Sequence, residues 1–234
     1  SKRDPESNLF HHRDRGFIRE GLLNYLSLLG WSIAADRDIF TLDEMAAAFD
    51  VTDVNPNPAR FDLKKAESIN GDHIRLLPLD VFIDRTIPQL QAAGVIGASP
   101  SSHELARLHE IAPHIQERTQ LLGEIPEMVT FLFTEDADLT VADDARATLD
   151  ADAARILDAA LDALGKVVDW STDAIEATLR TALIEGLDLK PRSAFGAVRT
   201  AISGRRISPP LFESMEILGR ESSLARIAAL RATV

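Results

Sequence analysis

The segment Pro191–Gly219, PRSAFGAVRTAISGRRISPPLFESMEILG, decides the fold class. Pro191 suits the first position of a helix, where its missing N–H would be unpaired anyway. Apolar residues then recur at helical spacing up to Gly204, which can supply a left-handed stop. The pattern predicts a helix over 191–203 and a short turn. A second helix is predicted to start at Ser208, with Pro209 at its first position, and to end at Gly219.

The same punctuation runs through the rest of the chain. Asp14 is expected to cap a helix carrying Phe17, Ile18, Leu22, Tyr25, Leu26 and Leu29, stopped at Gly30. Thr41 and Glu44 form a capping box for a short helix through Ala48. Asp62 caps another helix, with Asn70-Gly71 as its expected end. Asp80 opens a helix to Gly94. Ser101 and Glu104 form a second capping box, and Pro113 is expected to break or kink the helix that follows, with a further helical stretch over 114–122. Pro126 opens the helix with Met128, Phe131, Leu132 and Phe133.

The acidic stretch 135–152 reads as a solvated connection and helix start, since it lacks the central Gly and closing Glu of a calcium loop. Helices are expected over 150–168, from Ser171 or Thr172 to about 185, and over about 222–232. No segment alternates with period two, so the chain is read as all-α, built from helical bundles. Near Leu77-Pro78 short, loop-rich elements give way to longer helices, and a domain boundary is placed there.

Composition excludes several classes of function. Among 234 residues there is no cysteine, so disulfides and thiolate metal sites are out and a reducing compartment fits. No apolar run is long enough to span a membrane. The net charge of −12 argues against indiscriminate coating of nucleic acid. From Asp188 onward, however, eight Lys and Arg stand against four Asp and Glu, a net +4, which leaves −16 on residues 1–187. An acidic body with a basic end is compatible either with an anionic partner at that end or with a soluble acidic protein bearing a mildly basic tail.

No complete active site can be read. There is no Gly-rich phosphate loop and no nucleophile elbow. His103, His109 and His114 are spaced six and five apart, whereas two helical zinc ligands need a spacing of four. His11 and His12 are adjacent, so their side chains diverge. No metal site is expected. Two stretches stand out. Ser1-Lys2-Arg3 is basic and opens the chain without Met. Gly204-Arg205-Arg206-Ile207-Ser208-Pro209-Pro210-Leu211-Phe212 sets two Arg beside a helix start, which favours phosphate or a base edge. The same stretch also reads as a plain turn with a Leu211/Phe212 core contact.

Together these residues resemble the bacterial glutamyl-tRNA synthetases, a class I aminoacyl-tRNA synthetase family. The likeness runs in order through Ser1-Lys2-Arg3, which looks like the end of a K-[LIM]-S-K-[RS] loop, and through Gly16-Phe17 and Leu22–Trp31. It continues at Phe40–Glu44, Phe61–Lys65, Ile69–Gly71, Phe131–Phe133, Ala201–Gly204, Pro209–Phe212 and Ile217–Glu221. The resemblance implies a C-terminal portion lacking the catalytic Rossmann domain. Residues 1–77 would be a stem-contact domain, and 78–129 and 130–234 two helical anticodon-binding domains.

The intact enzyme would use ATP and Mg²⁺ to activate glutamate and attach it to tRNA(Glu). This piece alone would bind tRNA without aminoacylating and hold no cofactor. It would be cytoplasmic and monomeric, with no membrane partner. By the same resemblance Lys2 would meet ATP, Arg118 would face the third anticodon base, and Arg199, Ser208 and Leu211 would face the first two. Pro210 stands where relatives often have Gly. Lys65, Arg205 and Arg206 are candidate tRNA phosphate contacts. Read without the family, Arg118 is a surface charge. The competing reading is a helical protein-interaction scaffold that binds no RNA.

Overall fold

The computed structural model describes residues 8–57 and 59–234. Helices occur throughout: α1 Leu9–Asp14, α2 Arg19–Leu28, α3 Leu42–Ala48, α4 Leu63–Arg75, α5 Leu79–Ala92, α6 Ser102–Gln116 and α7 Ile125–Phe133. They continue as α8 Asp143–Arg146, α9 Ala153–Leu164, α10 Thr172–Leu179, α11 Pro191–Ser203, α12 Leu211–Leu218 and α13 Arg220–Arg231. A π-helical stretch, Arg180–Glu185, prolongs α10. Among the described residues the only β-pairing is an isolated bridge between Ala34 and Arg37. Packing divides the chain into two units. The first comprises described residues up to 99 together with 112–127, and the second comprises 100–111 and 128–234.

The first unit is organised by α2 against α4. Phe17, Leu22, Tyr25, Ala66, Ile69 and Leu121 form its buried cluster. Tyr25 is buried, and its hydroxyl oxygen accepts the Asp62 N–H at 2.5 Å, which fixes the residue that caps α4. The helices approach so closely that a Cβ on Gly21 would lie 2.6 Å from the Asn70 Cα. Only glycine fits there. The predicted capping box closes as expected: Thr41 Oγ1 accepts the Glu44 N–H at 3.1 Å, and Glu44 Oε2 accepts the Thr41 N–H at 2.8 Å. That backbone donor, with Arg37 beside it, holds the Glu44 carboxyl down to about 2.

The second unit is built on α9, whose buried face of Ile156, Leu157, Ala160 and Leu164 packs against α10, α11 and α13. Val198, Ile202, Met215, Ile227 and Leu230 complete the interior. Truncating such a buried Leu or Ile to Ala costs about 2–5 kcal/mol. Pro191 opens α11 and Gly204, at φ 67°, closes it, as the sequence predicts.

Several expectations are corrected. Asp14 ends α1 rather than capping the next helix. The start of α2 is served from 52 residues away: the Ile18 N–H donates to Asn70 Oδ1 at 2.9 Å. Asn70-Gly71 does not end α4, because the Asn70 side chain is spent on other elements instead of on its own backbone. Pro113 lies inside a continuous α6. Its ring removes the donor for the His109 carbonyl, but both residues are exposed, so water can take the missing donor's place. Pro209 precedes α12, which begins at Leu211. The acidic stretch contains α8 and a 3₁₀ turn, Asp136–Asp138, and it is tied to the interior of its unit instead of being a free connection.

Candidate nucleic-acid interface

In the first unit, α6 ends in a turn that carries Arg118. Each flank of that turn is held. Gln116 Nε2 donates to the Ile74 carbonyl at 2.9 Å and the Leu77 carbonyl at 2.8 Å. Arg75 Nη1 reaches the Glu117 carbonyl at 3.3 Å. The buried Thr119 hydroxyl donates to the Ile115 carbonyl at 2.8 Å, and Asn70 Nδ2 donates to the Gln120 carbonyl at 2.6 Å. Arg118 therefore stands exposed on a backbone whose neighbouring carbonyls are fixed by α4. A planar cation on a fixed base suits recognition of a base edge or a stacked ring.

In the second unit, the turn after α11 shows Arg205, Arg206 and Ile207 to solvent, with Ile207 78% exposed. Beneath them the turn is braced by Arg199. Its Nη1 donates to Ser208 Oγ at 2.6 Å and to the Pro209 carbonyl at 2.9 Å. A cleft of about 790 Å³ opens beside this turn, lined in part by Arg192, Arg199, Arg206, Phe195, Gly196 and Asp150. Arginines from three positions in its wall make it a receptor for anions or for electron-rich base edges. Phe195 is half-buried in that wall, stands edge-on to Phe212 at 5.2 Å, and has the Arg180 guanidinium 5.8 Å from its centroid.

The structure brings Arg199, Ser208, Leu211, Arg205 and Arg206 together in one unit and puts Arg118 and Lys65 in the other. Lys2 lies outside the described residues. Ser208 and Leu211 are buried, at 7% and 3% exposure, so their side chains hold the turn and do not face outward. Lys65 is exposed and pairs with Asp38 at 2.9 Å. Arg192 was not singled out by sequence reading, although it lies seven residues before Arg199 on α11, the spacing that returns to one helix face. Phe195 carried no such signal.

The first unit also holds groups with perturbed pKa values. Glu20 accepts two bonds from Arg85, each 2.9 Å, and this pairing holds its carboxyl below the usual range. Burial pushes His73 below its ordinary value, and its Nε2 lies 2.7 Å from Asn24 Oδ1. Among the described residues no three His, Cys, Asp or Glu gather as metal ligands, and no helix is long and apolar enough to cross a membrane.

Residues 81–231 match the family model for the anticodon binding domain. Residues 1–68 match that for the catalytic domain of class I tRNA synthetases (E and Q). The chain is 62% identical over 234 residues to a glutamate–tRNA ligase of Kineococcus radiotolerans, covering all of this chain and 47% of that protein. It is 63% identical over 236 residues to a glutamate–tRNA ligase of Leifsonia xyli subsp. xyli, covering all of this chain and 48% of that one. It thus spans about half the length of the curated relatives it matches. Its fold is similar to a crystal structure of a glutamate tRNA ligase from Elizabethkingia meningosepticum in complex with its amino acid. That match has a TM-score of 0.77 and 22% identity over 95% of this chain and 42% of that one.

Proposed function

The chain belongs to the anticodon binding domain family, and on that premise we propose that it is the tRNA-binding, anticodon-recognising part of a glutamate–tRNA ligase. The observation that carries this reading is the cleft beside the turn after α11, with its three arginines and half-buried Phe195. RNA loops are read by splaying bases onto flat cations and rings, and a local basic surface suffices on an acidic protein. In this reading Arg199, Arg192 and the turn face the first two anticodon bases. Ser208 and Leu211 act by shaping the turn. Arg118 meets the third base, and Arg205, Arg206 and Lys65 meet phosphates.

The complete enzyme would activate glutamate with ATP and Mg²⁺ in the cytoplasm, as a monomer. Lys2 would offset phosphate charge there, and no step is assigned to the described residues in that chemistry. Equilibrium binding of tRNA(Glu) over a salt series tests the proposal. Affinity should fall steeply with salt, and a changed anticodon base should weaken binding by about 1–3 kcal/mol. Equal affinity for every anticodon would contradict it, and binding without salt dependence would contradict the phosphate contacts.

A further inference from the structure

We propose that Arg226, which is buried and cannot touch RNA, is the positioning residue of the turn after α11, and that residues 134–142 form the clamp through which it acts. This rests on the recognition role just assigned to that turn. The Arg226 side chain is 1% exposed. Its Nε donates to Asp136 Oδ1 at 2.6 Å and its Nη2 to the Thr134 carbonyl at 2.7 Å. Its Nη1 serves the Phe131 carbonyl at 2.9 Å and the Ile202 carbonyl at 3.0 Å. Phe131 and Ile202 lie in the last turns of α7 and α11, where carbonyls lose their intrahelical partners. One cation therefore caps two helix ends at once, where the helix dipoles favour it.

Ile202 is two residues before Gly204, and the acidic segment grips Gly204 directly. The Ala142 N–H donates to the Gly204 carbonyl at 2.9 Å. A Cβ on Gly204 would lie 2.2 Å from the Thr140 carbonyl oxygen. Arg226 thus fixes Thr134 and Asp136 at one end of the segment and Ile202 on α11, while Ala142 and Thr140 hold the residue from which Arg205, Arg206 and Ile207 project. A buried ion is expensive unless fully bonded, and a well-packed apolar side chain would often serve stability as well. What the fork adds is a fixed geometry among α7, the acidic segment and α11.

Arg226→Lys and Asp136→Asn test this, with Arg226→Met as the severe variant. A lysine keeps the charge but puts its donors on one nitrogen, which cannot reach acceptors on three elements. Well below the unfolding temperature, amide exchange of Arg226→Lys at Ala142, Gly204 and Arg205 should quicken by about tenfold or more, while α9 and α10 change by less than about twofold. The preference for tRNA(Glu) over a tRNA altered in its first two anticodon bases should fall by roughly tenfold with the salt dependence unchanged. Asp136→Asn should give a weaker version of the same pattern, since three carbonyl bonds remain. Exchange that rises uniformly across the unit, or turn amides that do not respond in either mild variant, would overturn the proposal. If Arg226→Met does not fold, the two mild variants decide. If the unmutated protein shows no base preference, the recognition reading fails. The exchange pattern alone then decides the positioning role: a local change supports it and a uniform one overturns it.

Discussion

Two turns carry the exposed arginines of the candidate interface, Arg118 on one and Arg205 and Arg206 on the other, and they are held differently. The turn after α6 is held mainly by neutral amides, with Arg75 adding one long bond to the Glu117 carbonyl. Asn70 spans from the Ile18 amide to the Gln120 carbonyl, and Gln116 spans the Ile74 and Leu77 carbonyls. The turn after α11 is held by charge, with Arg226 buried below it and Arg199 bracing it from the side. A pedestal made mainly of amides leaves Arg118 exposed above it. A charged pedestal concentrates guanidinium groups around a cleft, but it ties up hydrogen-bonding capacity in holding the backbone. In the second turn, therefore, the residues that shape the site and those exposed to solvent are different: Ser208 and Leu211 are inside, and Arg205, Arg206 and Ile207 are outside.

The sharpest way to break the charged side of this comparison is Gly204→Ala. The left-handed conformation costs a non-glycine residue about 1–2 kcal/mol, and the added Cβ would collide with the Thr140 backbone, so a loss of about 3 kcal/mol or more is expected in urea unfolding. On the amide side, Asn70→Ala strands the buried Ile18 amide and the Gln120 carbonyl. It should cost about 2–3 kcal/mol and loosen the Arg118 turn while leaving the second turn's amide exchange unchanged.

Acid should act on the first unit through groups that include Glu20 and His73. Glu20 has a depressed folded pKa, so its stabilisation is present above its ordinary value of 4.5 and is lost as pH falls through the folded value. His73, also depressed, penalises folding once pH drops below its ordinary 6.5. Stability should therefore begin to fall below about pH 6.5, and His73→Gln should remove that first stage in a pH series of unfolding midpoints. The smallest effect is expected at Gly196, where an added Cβ meets nothing within 4 Å. Gly196→Ala should raise stability by about 0.5–1 kcal/mol through helix propensity and narrow the cleft slightly.

Local signals made much of the fold legible. The Pro191 and Gly204 limits of α11 and both capping boxes depend on residues within four positions of each other, and they were read correctly. What escaped was the use of polar residues at long range. Asn70 looked like a stop because asparagine and glycine favour helix ends, yet its side chain caps another helix. Ser171 or Thr172 was expected to open α10; Ser171 takes the N-cap position, and Glu216, 44 residues beyond Thr172, accepts the Thr172 N–H and hydroxyl. The acidic stretch looked solvated because Arg226, the buried partner of Asp136, is 90 residues on. At the candidate site the resemblance supplied Arg199 and the turn, but a single sequence could not separate the buried Ser208 and Leu211 from the outward Arg205 and Arg206.

The central claim is that two separate turns read different anticodon bases. The most direct measurement is a matrix of affinities: unmutated protein, Arg118→Gln and Arg199→Ala, each against tRNA(Glu) and its three single-base anticodon variants. Arg118→Gln should erase about 1–3 kcal/mol of discrimination at the third base alone, and Arg199→Ala a similar amount at the first two alone. If both substitutions weaken all four tRNAs by the same factor, the arginines act as general cations and the account of base reading is wrong.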